Sequence, residues 1–225
     1  MAQIIRAEPW TLNAWLMQLE HADPSVMPFF AAYLRHPRME PGAIGPNSSQ
    51  SGGGPPTILR VLTRLAGQGS REARQLLYEC LGLERWPFLI ECPKHVAAFD
   101  PVRARERLVE LMAPPAEQAS LRRSPSLQSI EVIRYQAAET LVRLGDVRGI
   151  PVLIDAVGSE GLGVAWSANR ILRAYTQEDI DLASDATAAT RQAVRDAWGR
   201  WWRENSGRFV VNVGAARVDE ACCQI

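Results

Sequence analysis

The chain has 225 residues and a hydrophobic share of 47%, enough for one mid-sized domain or one short repeat array with a continuous core. Lys plus Arg and Asp plus Glu both number 25, so no net charge directs the chain to nucleic acid or to an anionic membrane. The N-terminus lacks the apolar region of a signal peptide, and no stretch approaches the roughly 20 apolar residues of a membrane span, so we expect a cytoplasmic protein.

The first elements are two short amphipathic helices. Apolar residues at the i, i+3, i+4, i+7 spacing mark the first helix: Leu12, Trp15, Leu16 and Leu19. The second helix follows Asp23 and Pro24, and its apolar face is Val26, Phe29, Phe30, Tyr33 and Leu34. The pattern predicts an N-terminal helical hairpin over residues 1–36.

The helical pattern then stops. Residues 37–56 are rich in proline and glycine and contain a polar run from Asn47 to Gly54. This composition is typical of a flexible linker or loop.

Residues 57–125 are predicted to form a second hairpin followed by an irregular insertion. One helix face is Ile58, Val61, Leu62 and Leu65, and the next is Ala73, Leu76, Leu77, Cys80 and Leu81. Ser70 is the expected N-cap of the latter, and Gly82 its stop. Pro87, Pro93 and Pro101 interrupt any regular helix, so residues 84–102 are expected to be irregular. A short helix then follows, with Ala104, Leu108, Leu111 and Met112 on one face.

Residues 126–206 carry the strongest periodicity. One helix is marked by Ile130, Ile133, Ala137, Leu141 and Leu144, and its partner by Ile150, Leu153, Ile154 and Val157. A third helix is marked by Val164, Ala168, Ile171, Leu172 and Tyr175. An acidic loop with Glu178, Asp179, Asp181 and Asp185 leads to a last helix with Val194, Ala197, Trp198, Trp201 and Trp202. Residues 207–225 form a tail, in which Phe209 to Val213 are compatible with a short strand.

The segment from Ile133 to Ile154 resembles the bacterial HEAT-like repeat, the type also seen in phycobilin lyases. The resemblance rests on an Arg and paired alanines in the first helix, Leu-Gly-Asp at the turn, and Ile-Pro-x-Leu-Ile at the start of the second helix. Ala137 and Ala138 allow close helix approach, and Gly145 suits a left-handed C-cap. Asp146 can accept backbone N–H groups across the turn, and Pro151 suits the first helical turn. The resemblance implies an all-α protein, a short α-solenoid of antiparallel helix pairs.

The C-terminal region, Tyr175 to Ile180 and Trp198 to Asn205, is similar to a segment that often follows such repeats in bacterial proteins. It implies a Trp-rich cap that shields the last repeat.

The cysteine and histidine residues do not indicate a metal or cofactor site. The spacings of Cys80, Cys92, Cys222 and Cys223 fit neither a zinc site nor a secreted disulfide framework, so we expect free thiols and a reducing compartment. Cys222 loosely fits a prenylation box, but Gln224 is polar where an aliphatic residue is usual, which favours a chance tail over a lipid anchor. His21, His36 and His95 form no metal-spaced pair.

The candidate interaction surface consists of arginines and tryptophans. Its members are Arg134, Arg143, Arg148, Trp166, Arg170, Trp198 and Trp202. Arginine and tryptophan are enriched at the energetic centres of interfaces, although a tryptophan stripe at helical spacing also suits a core.

We therefore expect a non-catalytic scaffold or adaptor that binds another protein and uses no cofactor. One alternative, implied by the resemblance, is a helper that attaches a prosthetic group, as phycobilin lyases do. A second is nucleic-acid binding or DNA repair, in which Asp146 and Trp166 would stand where HEAT-like DNA glycosylases have a carboxylate and an aromatic residue.

Overall fold

The computed structural model describes residues 25, 27–35, 54–84, 88–114 and 130–213. This part of the chain contains nine α-helices and no strand, as the all-α prediction requires. None of the helices it describes is both long enough and apolar enough to cross a membrane. Predictions that concern the remaining residues, including the helix at Leu12–Leu19 and the Cys222–Cys223 tail, lie outside this description.

The helices follow in chain order and divide into two compact units. The described residues up to Ala104 belong to unit 1 and those from Arg105 onward to unit 2, so the division falls within one helix. The helices are α1 Met27–Arg35, α2 Gly54–Gly67, α3 Arg71–Leu81, α4 Phe88–Val96, α5 Pro101–Leu111, α6 Ile130–Arg143, α7 Ile150–Val157, α8 Leu162–Thr176 and α9 Ala188–Asn205. The predicted division of the chain into five segments stays a prediction.

Unit 1 buries one hydrophobic cluster among α1 to α4. Its largest members are fully enclosed: Phe30, Ile58, Leu59, Leu62 and Leu77. Ser70 caps α3 as predicted, since its hydroxyl accepts the Ala73 N–H at 3.2 Å. The predicted linker ends earlier than expected, because α2 already begins at Gly54. Prolines are tolerated in the first turn of a helix, because the backbone N–H that they lack would have no partner within the helix there.

The expectation of an irregular stretch over residues 84–102 is wrong, because α4 occupies Phe88–Val96 and α5 starts at Pro101. Pro93 lies inside α4 and removes one helical hydrogen bond. Burial of the α4 side chains offsets that loss: Phe88, Leu89, Ile90, Cys92 and Val96 are all buried. Pro101 takes the first helical position, which favours proline.

The expectation of free thiols is also corrected, because Cys80 of α3 and Cys92 of α4 form a disulfide. Their Cα atoms are 5.9 Å apart, within the range that a disulfide spans. Spacing along the chain does not reveal this pair, because residues 12 positions apart come into contact only once α3 and α4 pack together.

Unit 2 is organised around the turn between α6 and α7. Gly145 has φ +79°, and the N–H groups of Gly145 and Asp146 bond to the carbonyls of Val142 and Leu141, which is a Schellman cap. Asp146 accepts the Arg148 N–H at 3.0 Å and caps the short 3-10 helix Val147–Gly149. Pro151 lies in the first turn of α7. The predicted roles of Gly145, Asp146 and Pro151 are therefore confirmed.

In unit 2, α7 packs against α6, α8 and α9, and α6 also packs against α8. Gly149 lies so close to α6 that an added Cβ would collide with the Ala138 carbonyl oxygen and lie 2.9 Å from Val142 Cγ2. Phe209 to Asn212 form no strand, and Val211 is the buried residue among them.

Candidate functional site

A cleft of about 500 Å³ lies in unit 2 along α8 and the loop that follows it. α8 contributes seven lining residues: Trp166, Asn169, Arg170, Ile171, Arg173, Ala174 and Tyr175. α6 adds Arg143, and the loop adds Gln177, Glu178, Asp179, Asp181 and Leu182. The volume falls within the range of ligand clefts in proteins.

The chain turns sharply where α8 meets the loop, and this turn places the acidic residues at the cleft. Gln177 adopts φ +63°, a left-handed conformation, and its N–H bonds to the Arg173 carbonyl at 2.9 Å. Its side-chain amide donates to the Ala174 carbonyl at 2.7 Å, which offsets the strain of a non-glycine residue there. The loop therefore folds back along the end of α8.

Trp166 and Arg170 form an exposed pair on one face of α8. Trp166 is 43% exposed, and the Arg170 guanidinium carbon lies 5.5 Å from the centre of its ring. This is cation–π geometry at the helical i, i+4 spacing. The pair presents a flat aromatic surface and a guanidinium together at the cleft.

A polar network beside this pair connects α6 and α8. The Tyr135 hydroxyl is hydrogen-bonded to Glu139 of α6 and Ser167 of α8, and burial together with the Glu139 charge raises the pKa of Tyr135. Glu139 also pairs with Arg143 at 3.0 Å. The network holds Arg143 at the edge of the cleft.

At the other end of the cleft, Arg173 bonds to the carboxylates of Asp179 and Asp181. Glu178 accepts the Trp201 indole N–H at 2.9 Å and thereby connects the loop to α9. The Asp179 and Asp181 side chains are mostly exposed.

The structure brings together three of the predicted surface residues, since Arg143, Trp166 and Arg170 line the cleft. Arg134 lies elsewhere and donates from Nε to the Met112 carbonyl at 3.0 Å. Arg148 is bound to Asp146 in the α6–α7 turn, where the Arg148 hydrogen bond lowers the pKa of Asp146. A glycosylase-like site would require Asp146 and Trp166 to share the cleft. They do not, because Asp146 lies in the α6–α7 turn.

The two predicted tryptophans of α9 lie in different environments. Trp198 is fully buried and its indole N–H donates to Asn169 at 2.7 Å, so its assignment to the interaction surface is corrected to the core. Trp202 is half-buried and packs with Trp201 and Phe209 in an aromatic cluster at the end of α9.

Sequence reasoning did not assign a role to Tyr135, Glu139, Ser167 or Arg173. Tyr135, Glu139 and Arg143 repeat every four residues along α6, and Trp166, Arg170 and Arg173 follow helical spacing along α8. This polar periodicity opposite the apolar faces was a usable signal for a second, solvent-facing surface. In the part of the chain described here, no three His, Cys, Asp or Glu side chains are grouped to hold a metal ion.

Residues 133–159 match the PBS lyase HEAT-like repeat family. The matched segment covers most of α6, the Gly145 turn and all of α7, in agreement with the resemblance seen in the sequence. No curated protein and no solved structure matches the chain.

Proposed function

We propose that the chain, whose residues 133–159 match a HEAT-like repeat, is a non-catalytic scaffold that binds another protein through the cleft of unit 2. HEAT-type helix pairs are interaction modules whose faces present side chains from successive helices. The observation that carries the proposal is the exposed Trp166–Arg170 pair beside the cleft. Tryptophan and arginine are the residue types most often found at the energetic centres of interfaces.

The helices make this cleft a stable surface. Trp166 and Arg170 lie on the opposite side of α8 from Ala165, Ala168 and Leu172, which are fully buried. The backbone beneath the exposed pair is therefore held by core packing, so little conformational freedom would be lost on binding.

The experiment is affinity capture from a lysate of the source cell with three baits. They are the wild-type chain, the double variant Trp166→Ala/Arg170→Ala, and the control Arg200→Ala on the exposed face of α9. We expect a stoichiometric protein that wild type and control retain and that the double variant binds at least tenfold more weakly. A protein retained equally by the double variant, or no retained protein, would contradict the proposal.

The match to a repeat family named for PBS lyases supports a second candidate, a lyase-like helper that attaches a prosthetic group. The volume of the cleft suits part of such a ligand. Titration of the chain with a bilin tests this candidate, which requires a change in bilin absorbance that the Trp166→Ala variant reduces.

The predicted cytoplasmic location belongs to the proposal as well. Fractionation of the source cell with an antibody against the chain tests it directly. A Cys80–Cys92 pair that is oxidised in the cell would argue against a reducing compartment.

A further inference from the structure

Asn169 offers a hydrogen-bond donor on the wall of the cleft. The Trp198 indole N–H donates to Asn169 Oδ1 at 2.7 Å, and an indole nitrogen can only donate, so the oxygen of this amide must face Trp198. Nδ2 then faces away from Trp198, and it bonds to no acceptor in the described part of the chain. Asn169 is 2% exposed and lines the cleft, and Nδ2 is not sealed inside the core, so its N–H groups remain available to a ligand there.

Arg170 supplies a positive charge beside that donor. Three arginines line the cleft among the residues that the structure describes, and two of them already bind carboxylates. Arg143 pairs with Glu139, and Arg173 pairs with the aspartates of the loop. No carboxylate of the described residues pairs with Arg170, whose guanidinium lies over the Trp166 ring. A guanidinium that contacts a ring through its face keeps its in-plane N–H groups available to an acceptor.

The two donors flank the same aromatic ring. Asn169 and Arg170 follow Trp166 by three and four positions, so they lie one helical turn from it, on either side of its position. All three residues line the cleft. A group held at this end of the cleft can therefore contact the Trp166 ring and accept hydrogen bonds from both Asn169 Nδ2 and the Arg170 guanidinium.

The charge of the cleft selects among the ligands that could accept these hydrogen bonds. The guanidinium favours a negatively charged acceptor. The described lining of the cleft also carries the carboxylates of Glu178, Asp179 and Asp181, which match its three arginines in number. A phosphate monoester, with close to two negative charges, would meet more repulsion from these acids than a carboxylate with one. A carboxylate also has two oxygens, one for each donor.

We propose, on the basis of the proposed function, that Asn169 and Arg170 bind a carboxylate of the partner protein, an Asp or Glu side chain, at the Trp166 end of the cleft. Asn169 Nδ2 donates to one carboxylate oxygen and the Arg170 guanidinium to the other. The Trp166 ring contacts the methylene groups of the same side chain. Asn169 therefore has two roles, because its oxygen satisfies the buried Trp198 indole and its nitrogen binds the partner.

The test uses two probes that differ only in the group to be recognised: glutamate blocked at both ends as N-acetyl-glutamate N-methylamide, and its glutamine counterpart. Each is titrated into the isotope-labelled full-length chain at constant ionic strength, and NMR follows the side-chain N–H signals of Asn169 and Arg170. We expect the glutamate probe to shift both signals saturably and the glutamine probe to bind at least tenfold more weakly. Equal responses to the two probes, or no response, would overturn the inference.

Substitutions assign the two donors. Arg170→Gln removes the charge, and Asn169→Asp keeps an oxygen for Trp198 but removes the amide N–H groups, so each should weaken binding of the glutamate probe at least tenfold. The matched control Arg200→Gln on α9 should bind the probe as wild type does. Circular dichroism shows which variants fold. Because Arg170 is exposed, its variant tests the site even where the buried charge of Asn169→Asp prevents folding, and unchanged binding by Arg170→Gln would refute the site.

The affinity capture described above decides the source of the carboxylate. We expect an excess of the glutamate probe, and not of the glutamine probe, to release the retained partner from wild type. A partner retained through Trp166 together with no probe binding overturns this inference and leaves the scaffold proposal standing. Probe binding without any retained partner makes a free acid the ligand, so that both the partner as the source and the scaffold proposal fail.

Discussion

At the residue scale, Asn169 connects the core of unit 2 to its surface. Its side-chain oxygen accepts the Trp198 indole N–H, and the residue is 2% exposed. A buried indole N–H needs such an acceptor, because an unpaired donor in the core costs about 1–3 kcal/mol. Asn169 also lines the cleft, so a single side chain satisfies the core tryptophan directly behind the proposed binding surface.

His95 illustrates the same dependence on burial in unit 1. It belongs to α4, and its Nδ1 is 2.9 Å from the Thr63 hydroxyl of α2. Burial lowers the pKa of His95, with Lys94 and Arg60 acting in the same direction and Glu91 acting against them. The folded protein therefore favours the neutral ring.

We predict that His95 makes the chain less stable at acidic pH. The folded protein binds this proton more weakly than the unfolded chain, so the free energy of unfolding falls as the pH drops below the usual histidine value of 6.5. The fall ends below the folded-state pKa. Urea unfolding at pH 8 and pH 5 should show a smaller pH effect in His95→Gln than in wild type, and equal pH effects would refute the assignment.

At the element scale, the α6–α7 pair depends on close backbone approach. Gly149 has no room for a side chain against Ala138 and Val142, whereas Gly145 is needed for its left-handed φ. The loop from Asp146 to Gly149 thus combines a cap, a short 3-10 turn and a close contact within four residues.

We expect Gly149→Ala to lower the free energy of unfolding by about 2 kcal/mol, because an overpacked core must shift its backbone. The matched control is Gly163→Ala in the first turn of α8, where nothing lies within 4 Å of the new methyl group. Since alanine has the higher helix propensity, the control should be neutral or more stable by up to about 1 kcal/mol. Chemical denaturation of both variants measures the difference, and equal effects would contradict this packing.

At the scale of the whole molecule, features set by residues adjacent in the sequence could be predicted, whereas contacts between distant segments could not. Gly145, Asp146 and Pro151 act through their own backbone, so the sequence predicted the α6–α7 turn. The helix at Phe88–Val96 was missed because its packing outweighs the break expected at Pro93. Trp198 and Trp202 share α9, and the packing of α9 within unit 2 determines which of them is buried. The cleft needs residues from α6, α8 and a loop, which no single periodicity relates.

A prediction at this scale concerns the core of unit 2. Leu141 is fully buried in α6, and Leu141→Asp places a charge there without a partner, so we expect a loss of more than about 4 kcal/mol. Hydrogen exchange of the full-length variant should show lost protection across α6 to α9. Glu131→Ala, an exposed change in the same helix, serves as control. Unchanged protection in Leu141→Asp would refute the assigned core face.

The Cys80–Cys92 bridge has a consequence for the denatured chain. The bond closes a loop between residues 12 positions apart, and it persists after every noncovalent contact of unit 1 is lost. The unfolded ensemble of the oxidised protein is therefore restricted around the α3–α4 connection, and reduction widens that ensemble. Oxidised and reduced samples thus start refolding from different sets of conformations.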